Sequence, residues 1–148
     1  MSNKKSGMFS KACKYGIRAM IYLAVRTNAG HKTGVKEIAD TLKVPKSFLA
    51  KILQKMVRDD LVTSVKGPYG GFYIEKENME KTVDDIITCI DGKSLFTECV
   101  LGLPFCSDQN PCPLHEKVYP FREGMYYQLR HQKISQLAGE YENSEKRF

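Results

Sequence analysis

Three residues, Lys43-Val44-Pro45, separate two apolar-striped segments, and that short separation constrains the fold of this 148-residue chain more than any other feature. In Val35 to Leu42, Val35, Ile38, Ala39 and Leu42 share one face, opposite Glu37 and Asp40. In Lys46 to Asp59 the stripe is Phe48, Leu49, Ile52, Leu53, Met56 and Val57. Pro45 suits the first turn of that second segment, where its missing N–H costs nothing. Two helices separated by so short a turn form the helix-turn-helix pattern, in which the second helix enters the major groove of DNA. Its opposite face carries Lys46, Ser47, Lys51, Gln54, Lys55 and Arg58, the composition wanted for phosphates and base edges.

The segment immediately after these two helices strengthens the pattern. Leu61-Val62-Thr63-Ser64-Val65 and Gly71-Phe72-Tyr73-Ile74 read as two short strands around the turn-rich Lys66-Gly67-Pro68-Tyr69-Gly70. A hairpin directly after a recognition helix is a wing, and its glycine-rich tip lets the backbone approach a phosphate or the minor-groove floor, with Lys66 supplying charge. Upstream, Ile17, Met20, Ile21, Ala24 and Val25 predict a helix over residues 9–29, ended by Asn28 and Gly30. Charge is divided in the same sense. Residues 1–80 hold 15 Lys/Arg against 7 Asp/Glu, and residues 81–148 hold 8 against 10, so the net +6 belongs to the first half, which would draw a polyanion.

The expected architecture is mainly α with a small β-hairpin wing. Residues 1–80 form a winged helix-turn-helix DNA-binding domain, with Lys46, Ser47, Phe48, Lys51, Lys55, Lys66, Gly67, Pro68, Tyr69 and Gly70 as its DNA-facing residues. Residues 81–148 supply a linker helix over Val83 to Ile90, an irregular loop over residues 92–115, and one long C-terminal helix. In that helix Val118, Phe121, Met125 and Leu129 follow helical spacing, and Pro120 must start the main run or kink it. A single amphipathic helix after the globular domain has little of its own chain to cover it, so these four residues are assigned to a homodimer interface. Packing back onto the first helix is compatible with that. Glu140 to Phe148 reads as a frayed polar tail. No apolar run approaches the roughly 20 residues of a membrane span, and Met1 to Lys11 lacks the apolar stretch of a signal peptide, so a cytoplasmic protein without a membrane partner is expected.

Five cysteines, an odd number, argue for thiols that are buried, reactive or metal-bound rather than for a disulfide framework. Cys13 and Cys89 lie on helical apolar stretches and read as small buried hydrophobes. Cys99, Cys106 and Cys112, with His115 three residues after the last, offer three thiolates and an imidazole, a set suited to an iron–sulfur cluster or to zinc. The spacings are longer than the short chelate loops of structural zinc, and on spacing alone a cluster, zinc and an unmetallated redox group all stay open. His31 and His131 read as solvated. A redox enzyme or cluster carrier is the competing class, but the chain has no CxxC pair, nucleotide loop or catalytic triad pattern, and no enzymatic activity is expected.

The segment Phe9-Ser10-Lys11-Ala12-Cys13-Lys14-Tyr15-Gly16-Ile17-Arg18-Ala19-Met20, the wing from Leu61 to Phe72, and the three-cysteine loop together resemble the Rrf2 family of bacterial regulators. The likeness runs in the same order over residues 8–139. It implies a winged-helix dimer, held by a long C-terminal helix, whose binding to an imperfect palindromic operator depends on a cluster in the loop, with repression the expected outcome. Members of the NsrR-like branch can take a fourth ligand from an acidic residue near the partner's N-terminus, and Lys14 stands at the matching position here. IscR-like members use a histidine shortly after the third cysteine, which His115 matches, so the resemblance implies a 2Fe–2S centre on Cys99, Cys106, Cys112 and His115. The first cysteine spacing is six residues where IscR-like members commonly have five, and Ala50 stands where they can carry an acidic residue. Operator preference therefore does not transfer.

Overall fold

A computed structural model describes residues 8–93, 96–144 and 148. Six α-helices and one hairpin follow in the order α1 (Lys11–Asn28), α2 (Val35–Leu42), α3 (Lys46–Arg58), β1 (Thr63–Val65), β2 (Gly71–Tyr73), a short 3-10 helix (Lys76–Glu80), α4 (Val83–Asp91), α5 (His115–His131) and α6 (Ile134–Asn143). The mainly helical architecture with a two-stranded wing is thus as expected.

Local chemistry sets each boundary. Ser10 caps α1, its hydroxyl accepting the Cys13 N–H at 3.0 Å. At the end of α2, Lys43 takes the left-handed conformation with φ 56°, turning the chain within three residues into α3. Thr82 and Asp85 form a reciprocal capping box at the start of α4. The core gathers Met20, Ile38, Leu42, Leu49, Leu53 and Met56 from the stripes read from the sequence, together with Leu23, which that reading did not name. Ile86, Cys89, Ile134 and Ala138 join the same cluster, so elements on both sides of residue 80 share one core.

Thr63, Ser64 and Val65 pair antiparallel with Tyr73, Phe72 and Gly71. Thr33, ahead of α2, exchanges both backbone hydrogen bonds with Phe72, at 2.9 and 2.8 Å, and so stitches the wing to the helix-turn-helix. The wing needs glycine at position 70, where an added Cβ would lie 2.0 Å from the Val65 carbonyl oxygen. Gly70→Ala should loosen the hairpin by about 1–3 kcal/mol, so that its amides exchange roughly 5- to 150-fold faster. Unchanged exchange across residues 63–73 would refute this account of the turn.

The C-terminal third departs from expectation. Instead of one helix and a polar tail there are two helices, since α5 ends at His131 and α6 follows through Asn143. α6 buries Ile134 and Ala138 and lies along α1. A reciprocal backbone pair, Val83 N–H to the Gln132 carbonyl and Ile134 N–H to the Lys81 carbonyl, fixes its start beside α4. Glu140 to Asn143 are therefore helical, and residues 145–147 of the expected tail lie outside the described residues. Of the two expected roles of Pro120, a start or a kink, it does not start α5, which begins five residues earlier at His115. A proline at that depth removes the bond its N–H would have made to the Glu116 carbonyl and sets its ring against that carbonyl.

Candidate metal centre and nucleic-acid interface

Between Gly92 and Leu114 the described residues form turns and no α-helix or strand. This stretch brings the Cys99, Cys106 and Cys112 sulfurs within 4.8 Å of one another. Cys99 Sγ and Cys112 Sγ are 3.6 Å apart, and Cys106 Sγ is 3.4 Å from His115 Nδ1. Metal–thiolate bonds of about 2.3 Å and metal–imidazole bonds of about 2.0 Å place two sulfurs on one tetrahedral ion about 3.8 Å apart, and a sulfur and a nitrogen about 3.5 Å apart. Both pairs match those edges. The donor set could hold a two-iron cluster with one pair on each iron, and the three sulfurs could also surround a single zinc ion.

Backbone donors already favour thiolate chemistry. The Leu103 amide, helped by the amide of Leu101 and the neighbouring thiols, pulls Cys99 down to about 7 against the opposing effect of burial. The Cys112 N–H, 3.3 Å from Cys106 Sγ, favours the Cys106 thiolate, but burial and the adjacent Cys99 and Cys112 outweigh it and leave that thiol raised. Cys89 differs, since burial and then the Asp59 carboxylate push it up to about 12. Cys13 is fully buried. Both were read as buried hydrophobes, and both sit there.

The loop joins the helical domain at the last turn of α4. The Asp91 carboxylate accepts the Ser10 N–H at 3.0 Å and the Ser10 hydroxyl, tying α4 to the cap of α1. Lys55 of α3 donates to the Ile90 carbonyl at 3.3 Å. Phe96, at the near end of the loop, is buried beside Cys13, Val83 and Ile87 and stacks on Tyr126 of α5.

Lys46, Ser47, Lys51, Lys55 and Arg58 are exposed on α3, and Lys66, Gly67, Pro68 and Tyr69 are exposed at the wing tip, Tyr69 at 91%. The first turn of α3 has no side-chain cap, leaving its N–H groups available to an anion. Two of the sequence assignments take a second role. The Lys55 ammonium engages the Ile90 carbonyl of α4, and Phe48 packs edge-on against Tyr15 at 5.8 Å while remaining 37% exposed. Sequence reasoning passed over basic residues of α1 near this face: Lys11 and Arg18 flank the Tyr15 ring at 5.9 and 5.7 Å, next to the start of α3, and Arg18 also donates to the Leu42 carbonyl at 3.1 Å. Lys11, Lys14 and Arg18 recur at three-and-four spacing, a signal that could have been read. It also missed Asp108, whose Oδ1 lies 3.0 Å from His115 Nε2 and which no spacing rule singles out.

The residues assigned to a dimer interface divide. No residue of α5 is buried in the single chain. Val118, Phe121 and Met125 line an apolar groove of about 210 Å³ with Met8, Phe96 and Val100. Leu129 instead packs inward against the cluster of Cys13, Val83 and Ile87.

Comparison with known proteins agrees with the geometry. Residues 9–140 match the Rrf2 family, described as an iron-dependent transcriptional regulator. An HTH-type transcriptional regulator of Aquifex aeolicus is 38% identical over 112 residues, covering 74% of this chain and 76% of the relative. IscR of Photorhabdus laumondii is 23% identical over 143 residues, covering 90% and 86%. Among solved structures, CymR, the global cysteine regulator of B. subtilis, superposes with a TM-score of 0.73 at 24% identity, covering 89% of this chain and 96% of that one. IscR of T. potens superposes with a TM-score of 0.70 at 20% identity, covering 94% and 91%, so both share the fold. No helix among the described residues is long and apolar enough to cross a membrane. From its sequence match and its winged, helix-turn-helix fold, the chain belongs to the Rrf2 family of transcriptional regulators.

Proposed function

We propose that this chain is a homodimeric DNA-binding repressor whose cysteine loop holds an iron–sulfur cluster, 2Fe–2S, and whose operator affinity follows the state of that cluster. The observation that carries the reading is the pairing of four donors at tetrahedral-edge distances, Cys99 with Cys112 and Cys106 with His115. When bound, the cluster supplies a redox- and nitric-oxide-reactive centre. The protein supplies the coupling. Ligation orders a loop that begins at Gly92, one residue after the carboxylate that holds Ser10 and two after the carbonyl that holds Lys55. The free energy of ligation can thereby favour one placement of α3 over another.

DNA is read by the exposed face and uncapped start of α3, with Lys46, Ser47 and Lys51, and by Lys66 at the wing tip. Lys11 and Arg18 add charge beside the start of α3. A second copy covers α5 through Val118, Phe121 and Met125, which sets two α3 helices on half-sites of an imperfect palindrome. Phe121, 79% exposed in the single chain, is the largest apolar surface offered there. Phe121→Asp should remove about 1 kcal/mol from each side of the two-fold interface and weaken dimerisation roughly 30-fold. Sedimentation of the variant as an unchanged dimer at low micromolar concentration would place the interface elsewhere.

Anaerobic purification with iron, sulfide and zinc assays tests the cofactor. Two irons and two sulfides per chain are expected. A second reading, a structural zinc site with a thiol or small-molecule switch, is favoured by the mutual approach of the three sulfurs. One zinc per chain without sulfide would select it.

A further inference from the structure

We infer that Asp108 is a positioning residue for the metal centre: its carboxylate holds His115 by Nε2 and so presents Nδ1 to the thiol group. This rests on the reading of the loop as a metal site. A neutral imidazole carries one proton, and only the other nitrogen has a lone pair for a metal. Nε2 lies 3.0 Å from Asp108 Oδ1, and an ionised carboxylate only accepts, so Nε2 keeps the proton and Nδ1 the lone pair. Nδ1 is the atom that faces Cys106 Sγ, at 3.4 Å. Tyr119, one turn along α5, lies nearly parallel to the imidazole, 5.9 Å away at 18°, and limits rotation of the ring.

The carboxylate is itself aimed. Ser107 and Asn110 exchange backbone hydrogen bonds at 3.2 and 3.1 Å, which closes a tight turn with Asp108 at its tip. Asp108 is 77% exposed in its side chain whereas that of His115 is 12% exposed, so the carboxylate covers the imidazole from the solvent side and contributes nothing to the core. A ligating histidine whose second nitrogen is held by a carboxylate is fixed in both tautomer and orientation, and loss of such a partner typically weakens metal binding about 10- to 100-fold. His115 gains this partner from a residue within the cysteine loop, so that ligand and positioning group order together.

The test uses the full chain, purified anaerobically and reconstituted with ferrous iron and sulfide, as wild type, Asp108→Ala and Asp108→Asn. Under a chelator challenge followed by visible absorption, Asp108→Ala should lose its cluster about 10- to 100-fold faster than wild type. Asp108→Asn, whose amide oxygen still accepts from Nε2–H, should recover much of the difference. Histidine labelled with 15N at Nδ1 should give the strong hyperfine coupling in the reduced protein, and this coupling should vanish in His115→Ala. Strong coupling from the Nε2 label, or an Asp108→Ala loss rate equal to wild type, would overturn the inference while leaving the cluster in place. A wild-type chain that takes up neither cluster nor added zinc would overturn the reading of the loop itself, and this inference with it.

Discussion

Replacing Lys46, Lys51 and Lys66 together by alanine is expected to weaken operator binding on the order of 10⁴-fold at physiological salt. In the proposed DNA-binding mode each of these exposed ammonium groups would neutralise one phosphate, and each contact would contribute about 0.9 to the salt slope. Six contacts per dimer, each worth roughly fivefold near 0.15 M salt, multiply to that value, and the slope should fall by about five units. Lys55→Ala provides the contrast. Its ammonium is engaged with the Ile90 carbonyl, so its loss should disturb the α3 to α4 connection and change the slope by less than one unit. A triple variant with wild-type affinity and slope would remove α3 and the wing from the DNA interface.

The second large effect concerns the loop. Substituting Cys99, Cys106 and Cys112 together by alanine should abolish iron and sulfide uptake and the visible absorption, because no other described cysteine stands near a further donor group of this kind. Cys89 is pushed up to about 12 by burial and Cys13 is enclosed in the core, so neither can substitute. His115→Ala should retain a weaker, shifted spectrum, since three thiolates remain. Full iron occupancy in the triple cysteine variant would exclude the loop as the metal site.

Much of the winged, helix-turn-helix half was legible because its elements are dictated locally. The apolar stripes of α2 and α3 have strong helical periodicity, Lys43 and Pro45 mark the turn between them, and Gly67 and Gly70 mark the wing. What escaped notice was decided by tertiary contact. α6 buries Ile134 and Ala138 and packs Leu137 on the second cluster, but its other positions are mostly polar and include Gly139, and it exists as a helix because α1 offers it an apolar face. Leu129 follows the same period as Val118 and Met125, yet α5 lies so that this one position turns inward to Cys13 and Val83. The cysteines were visible as a donor set from their chemistry alone. Asp108 was not, since only the folded turn brings an ordinary acidic loop residue to the imidazole.

The central claim, that the cluster in this loop sets operator affinity, is tested most directly by one anaerobic preparation divided in two, with the cluster kept in one half and removed by chelator from the other. Titration of the same operator DNA at fixed salt should give affinities differing by about 5- to 150-fold, corresponding to a coupling of about 1–3 kcal/mol. Equal affinities in the two halves, with cluster content verified by iron and sulfide assay, would contradict it.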